Sequence, residues 1–259
     1  MLVLLPPSEG KRAPESGAPV DVGSLAFATA LGAKREKALT ALIKLAGGRS
    51  RKRALDLLGL PPGLSGELDR DATLRDAPTA PAGEVYTGVL FQHLDLATLP
   101  PAAVARAHEQ VLVASALWGV VALDDHIPAY RLSISARLPS LTKSGLAAFW
   151  RPALTAALPD EPGDLVIDMR SGGYAAAWRP RQSTLVEVKA STADGRPISH
   201  MAKAVRGTVT RELLRTRHTA TTPEDVAAAA EKGDGVGRVE LHTAAKPGGA
   251  HIVNVVAAA

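Results

Sequence analysis

The sequence contains no cysteine. Disulfides, thiolate zinc sites, iron–sulfur ligation and a cysteine nucleophile are therefore excluded. Aromatic residues are scarce at 3%, with three each of Trp, Tyr and Phe. The core must be built from Ala, Leu and Val, and too few rings are present for a base-stacking platform along a single strand. No apolar run approaches the ~20 residues of a membrane span. The opening Met1–Pro7 is apolar, but it has no basic leader and ends in Pro6-Pro7. It reads as a buried first strand rather than a signal peptide. The expectation is a soluble cytoplasmic protein with no membrane partner.

Familiar catalytic signatures are missing too. There is no HExxH, no Walker loop and no GxSxG. Gly233-Asp234-Gly235-Val236-Gly237 follows a helical pattern rather than a strand, so it reads as a loop and not a dinucleotide fingerprint. The seven histidines lack metal-ligand spacing, and Asp124-Asp125-His126 reads as a solvated turn. No metal site and no cofactor is evident.

What is present is an ordinary globular composition, 46% hydrophobic and 22% charged over 259 residues, enough for a sizeable core. The net charge of +4 is mild but unevenly spread. Between Lys34 and Arg53 eight basic residues face one acid, Glu36. Between Arg196 and Arg217 six basic residues face one acid, Glu212. Positive charge gathered in two places is the footprint of a polyanion site, and the alternative is two solvated helix faces.

Along the chain, Leu2–Leu5 reads as a strand and Ser8–Gly23 as loop. Helices are expected over Leu25–Leu45, Arg51–Leu58, Pro101–Gln110, Ser144–Ala157 and His200–Leu214, with another opening at Thr222-Pro223-Glu224-Asp225. The inner stripe of the helix after His200 is Met201, Val205, Val209 and Leu213, while His200, Lys203 and Arg206 share a stripe of about 120° on its other side. Val111–Val121 reads as one buried strand. Asp164–Met169 and Thr184–Ala190 are further strands, and 238–256 forms a terminal β-hairpin through Lys246-Pro247-Gly248-Gly249. Strands and helices mix without regular alternation. The expectation is one α+β domain over residues 1–259, a mixed β-sheet flanked by helices. Arg51–Ala72 has the outline of a helix-hairpin-helix-like element, although Pro61 and Pro62 remove two amides that would face a phosphate.

Several segments in order carry a resemblance. They are Pro6-Pro7-Ser8-Glu9-Gly10-Lys11, Gly83-Glu84-Val85-Tyr86-Thr87-Gly88, Leu117-Trp118-Gly119-Val120-Val121 and Pro128-Ala129-Tyr130-Arg131-Leu132. Phe149-Trp150, Val166-Ile167-Asp168-Met169 with Ser171 and Tyr174, and Ala202-Lys203-Ala204-Val205-Arg206-Gly207 follow. Together they resemble the YaaA family of peroxide stress proteins over roughly residues 1–215. The chain after Thr222 is similar to the actinobacterial type. The resemblance implies a single-domain α+β architecture called the cantaloupe fold, a positively charged cleft, a helix-hairpin-helix-like element, and binding of duplex or distorted DNA in defence against oxidative damage. It implies a bacterial, cytoplasmic protein and establishes no reaction. Where another branch of the family has Ser-Pro-Ala-Lys-Thr, this chain has Pro-Pro-Ser-Glu-Gly-Lys; both present a lysine shortly after the first strand.

Two functional readings stand side by side. In the first, the protein binds DNA without sequence specificity, with Arg49, Arg51, Lys52 and Arg53 on the backbone. In the second, the matched polar residues form an enzyme pocket for a small anionic or nucleotide-like ligand. Its catalytic candidates are Glu9, Lys11, Glu84 and Tyr130, with Glu9 or Glu84 as general base. Ser8, Tyr86, Arg131, Ser171, Tyr174, Lys203 and Arg206 would hold the anion or substrate. Acids mixed with lysines and arginines suit pKa tuning better than a bare phosphate groove does. A purely structural role assigns Tyr86, Trp118, Tyr130 and Trp150 to the core.

Overall fold

The computed structural model describes residues 1–192, 196, 201–246 and 248–257. Its centre is a seven-stranded sheet. β1 (Leu2–Leu5) is flanked by β3 (Val111–Ser115) and β6 (Leu165–Asp168), both parallel to it. β7 (Thr184–Ser191) and β9 (His251–Ala257) extend the parallel set beyond β6. Antiparallel strands close the two edges, β4 (Gly119–Ala122) on β3 and β8 (Val236–His242) on β9. A separate two-stranded piece pairs β2 (Ala80–Pro81) with β5 (His126–Ile127). The α+β class and the mixed, helix-flanked sheet are as the sequence implies. The parallel share is larger than the irregular alternation suggests.

Val3, Leu4 and Leu5 are all fully buried. Successive strand residues point to opposite faces, so the sheet is covered on both sides at its centre, and this is why Leu2–Leu5, Val111–Ala114 and Leu165–Ile167 read as unbroken apolar runs. Two sets of helices supply the cover. α1 (Ala28–Ala46) packs with α2 (Arg51–Leu58), α3 (Gly66–Ala72) and α7 (Leu146–Ala157). α9 (Met201–Arg215) packs with α5 (Val89–Leu94), α6 (Pro101–Gln110) and α10 (Pro223–Ala230). One-turn helices α4 (Ala82–Val85) and α8 (Gly172–Ala175) sit in the loops. The start signals hold: Ser50 caps α2, Pro101 opens α6, and Thr222 with Asp225 forms a full capping box on α10.

Four sequence expectations are corrected. Val111–Val121 is not one strand but the β3–β4 hairpin, turned at Ala116–Trp118. Gly119 makes the turn, with φ +78, and a Cβ there would lie 2.9 Å from the Trp150 ring. Met201 is not on the inner stripe of α9; it is 44% exposed, and the buried stripe starts at Val205. Asp125 is no solvated acid. It is buried, and its carboxylate accepts the N–H groups of Ala26 and Ala122. Finally, the basic run from Lys34 is not wholly a wet face. Arg35 is fully buried and donates to Trp118 O at 3.0 Å and Val120 O at 2.7 Å. Pro247 in the terminal hairpin turn lies outside the described residues.

Among the described residues, no helix is long and apolar enough to cross a membrane.

Candidate functional site

In the sheet order, the chain leaves β1 toward β3 on one side and leaves β6 toward β7 on the other. The crevice outside the carboxyl ends of such a neighbouring pair is where open sheets with parallel strands collect ligands, because the following loops diverge there. A cavity of about 340 Å³ occupies this position. Its walls are the loop after β1 (Pro6–Lys11), the entry to α5 (Thr87–Phe91), Arg131–Ser133 after β5, Ser171 and Tyr174 after β6, and Lys203 with Arg206 from α9.

Eight of the residues singled out in the sequence therefore meet in one cleft: Ser8, Glu9, Lys11, Arg131, Ser171, Tyr174, Lys203 and Arg206. Tyr86 and Tyr130 lie beneath it, both buried. Their hydroxyls are 2.9 Å apart, and that of Tyr130 is 2.6 Å from Ser115 Oγ. Burial holds both phenols above their ordinary pKa, so they serve as neutral hydrogen-bonding groups and not as bases. Glu84 is exposed on α4 and is not part of the cleft lining. His200 lies outside the described residues.

Lys11 forms the floor. Its backbone bridges to Tyr86, and its Nζ lies 4.2 Å from the centre of the Tyr130 ring and 5.4 Å from that of Tyr86. Nζ donates to Ser8 O at 2.8 Å. Burial, and secondly the charge of Arg131, lower its pKa from 10.5 to about 7. Glu9 does not compensate closely, because its carboxylate is taken by the Arg131 guanidinium at 2.6 Å. The side chain of Glu9 is 70% exposed, so this is a rim contact worth little to stability. Arg206 is half-buried and reaches Val188 O at 3.4 Å; burial lowers its pKa. It also borders a second cavity, about 420 Å³, beside the buried Asp168–Arg170 ion pair. That pair is a bidentate fork with both contacts at 2.8 Å, and it fixes the loop that carries Ser171.

Sequence reasoning missed Asp71. This residue of α3 is fully buried; Oδ1 accepts the Arg131 backbone N–H at 2.9 Å and Oδ2 has no partner. Burial raises its pKa from 3.8 to about 7. The signal was its position three residues after Leu68, on the buried stripe of a short helix. The folded state keeps the Asp71 proton between pH 3.8 and about 7, where the unfolded chain has lost it. Its contribution to stability is therefore lost as pH rises through that window. Asp71→Asn, which keeps the acceptor for Arg131, is expected to gain stability relative to the native chain by up to about 1.4 kcal/mol per pH unit across the window and to level off above it. Urea unfolding from pH 4 to pH 8 measures this; a difference independent of pH would remove Asp71 from the site's proton balance.

Of the basic residues between 49 and 53, Arg49, Lys52 and Arg53 are exposed, and Arg51 is held by Asp69 at 2.6 Å and by Ser65 O. Between α2 and α3, Gly59 and Leu60 give their N–H groups to Leu55 O, Leu64 gives its own to Pro61 O and Ser65 to Pro62 O. These amides are committed within the turn. Among the described residues, no group of three or more His, Asp and Glu side chains is placed to hold a metal ion.

Comparison with known proteins agrees with the order of motifs. The family model described as peroxide stress protein YaaA matches residues 1–234. A UPF0246 protein of Streptomyces coelicolor is 45% identical over 258 residues, covering 96% of this chain and 95% of the relative. A UPF0246 protein of Corynebacterium efficiens is 39% identical over 231 residues, covering 88% of this chain and 90% of the relative. A match across nine-tenths of the sequence, with the cleft residues inside it, leaves one assignment: the chain belongs to the YaaA family of peroxide stress proteins.

Proposed function

We propose that this protein acts in the peroxide stress response by binding one phosphate-bearing nucleotide unit in the cleft between β1 and β6, presented by distorted DNA. The observation that carries the reading is the convergence of Lys11, Arg131, Lys203 and Arg206, from three distant parts of the chain, on a single cavity of about 340 Å³. A cavity of this size suits a small ligand and is far too small for a duplex. A duplex would have to turn one unit out of its stack, as enzymes acting on bases require, and a gap or lesion makes that easier. Arg49, Lys52 and Arg53 then contact the neighbouring backbone through their side chains, since the helix-hairpin-helix-like turn has few free amides to offer. No cleft residue presents a sequence-reading pattern, so the binding is sequence-independent. The reading carries with it a cytoplasmic site of action.

A second reading, an enzyme for a free nucleotide-like anion, draws on one feature: a lysine amine poised near neutrality, which a passive phosphate clamp does not need. The test is fluorescence anisotropy with intact, gapped and abasic duplexes over a range of salt. Gapped or abasic DNA is expected to bind at least tenfold tighter than intact duplex. Lys203→Glu with Arg206→Glu is expected to abolish that preference and to flatten the salt slope by about 0.9 for each phosphate that is no longer neutralised. Unchanged binding by the double variant would sink the cleft as the DNA site. Competition by a nucleoside monophosphate at micromolar concentration would favour the second reading.

A further inference from the structure

We propose that Lys11 is a nucleophile whose amine condenses with the carbonyl of a phosphate-bearing sugar held in the cleft, forming a covalent imine. The inference rests on the phosphate-binding reading above and adds a chemical step to it.

The geometry singles out this amine. Nζ has one hydrogen bond, to Ser8 O, and two aromatic walls; among the described residues no carboxylate pairs with it. The acids in its surroundings are otherwise engaged or held back. Glu9 is bound to Arg131, Glu67 is bound to Arg70 at 2.9 Å, and Asp71 is buried behind the Arg131 backbone. Arg131 is the cation whose charge opposes protonation of this amine. A lysine whose role is to clamp a phosphate gains from a nearby carboxylate and a full charge. This one sits in an environment that favours the neutral, nucleophilic form near physiological pH.

The rest of the cleft supplies a handle for the electrophile. Arg206 and Lys203 stand on α9, line the same cavity as the β1 loop, and present two cations to a phosphate. A ligand with phosphate at one end and a carbonyl carbon at Lys11 is a sugar phosphate in its open form. In DNA the same chemistry is an abasic deoxyribose. Free in solution it is an aldose phosphate.

The step balances without oxidant or reductant. The amine lone pair forms the C–N bond, and the C=O π pair moves to oxygen, which takes up a proton. Nitrogen gives up one proton, which yields the carbinolamine; its lone pair then forms the C=N bond as the C–O bond breaks, and the departing oxygen takes the second nitrogen proton and leaves as water. The Tyr86–Tyr130–Ser115 hydroxyl chain and the protonated form of Asp71 are neutral polar groups around this amine.

The experiment uses the full chain with sodium cyanoborohydride, which reduces an imine to a stable amine. Three arms are run: a duplex with one abasic site, the same duplex intact, and ribose 5-phosphate. Adducts are located by peptide mass mapping. The expected result is modification of Lys11 more than tenfold above any other lysine, with the abasic duplex, with ribose 5-phosphate, or both; the arm that succeeds identifies the source. Lys11→Arg, which keeps a donor for Ser8 O but has no nucleophilic amine, is expected to lose the adduct. Arg206→Ala is expected to reduce labelling of Lys11 at least tenfold. Modification spread evenly over surface lysines, or none at Lys11 in the native protein, overturns the proposal whether or not the variants fold. Anisotropy with a tetrahydrofuran abasic analogue, which has no carbonyl, separates the two ideas. Binding retained without any Lys11 adduct removes the imine and leaves the phosphate cleft; binding lost removes both.

Discussion

Gly207→Ala is expected to destabilise the protein by about 3 kcal/mol or more and, in whatever fraction still folds, to weaken ligand binding at least tenfold. Gly207 lies where α9 crosses α5. A Cβ built there meets Leu90 O at 2.2 Å, His93 Cβ at 2.8 Å and Leu94 N at 3.0 Å. Two of these are backbone atoms of a helix, so no side-chain rotation relieves the clash, and the helices must separate. α5 enters through Thr87–Phe91, part of the cleft lining, and α9 carries Lys203 and Arg206 of the same lining. A single methyl group thus opens the site from behind. Urea denaturation and anisotropy on the same sample check both effects. A variant of native stability with native affinity would show that the close approach of the helices is not what sets the cleft's width.

Arg35→Ala is expected to cost about 3–5 kcal/mol without touching the cleft. The guanidinium enters the core from α1 and holds Trp118 O and Val120 O, the carbonyls of the β3–β4 hairpin. Burial lowers its pKa to about 10, which still leaves it charged at neutral pH. Nη1 has no partner, so the interaction is imperfect, yet removing the side chain strands two buried carbonyls and leaves a cavity. Arg35→Met fills most of the volume and is expected to recover part of the loss. Lys37→Ala, two residues away on the exposed side of α1, is expected to change stability by less than about 0.5 kcal/mol. Chemical denaturation of the three variants is the measurement. Equal losses from Arg35→Ala and Lys37→Ala would mean that the buried guanidinium contributes nothing specific.

These two residues also show where the sequence was readable and where it was not. The order of strands and helices was legible because apolar runs, glycines and caps are local signals. The convergence of Ser8, Glu9, Lys11, Arg131, Ser171, Tyr174, Lys203 and Arg206 was legible only as a set of motifs in fixed order. Charge runs misled. Arg35 sits in the most basic stretch of the chain, yet it follows Leu31 by four residues and precedes Leu39 by four, which puts it on the buried stripe of α1. Periodicity held the answer, and charge counting hid it. Asp71 was obscured in the same way, as one acid in a polar segment. Glu84 sat inside a matched motif, but it faces outward on a one-turn helix while Tyr86, just past the helix end, turns inward, and matching alone does not give direction. Met201 stands at the very start of α9, one turn before the first buried residue of the stripe, Val205, so spacing alone extended the stripe too far.

The central place of β1 bears on how the polypeptide is made. This fully apolar strand cannot pair with β3 until more than a hundred further residues have been added, nor with β6 until still later. At elongation rates of about 5–20 residues per second, it waits on the order of 5–20 s with both edges open. Throughout that interval the emerging chain offers an unpaired apolar segment to any neighbour, so the pace of translation sets how long it is open to association.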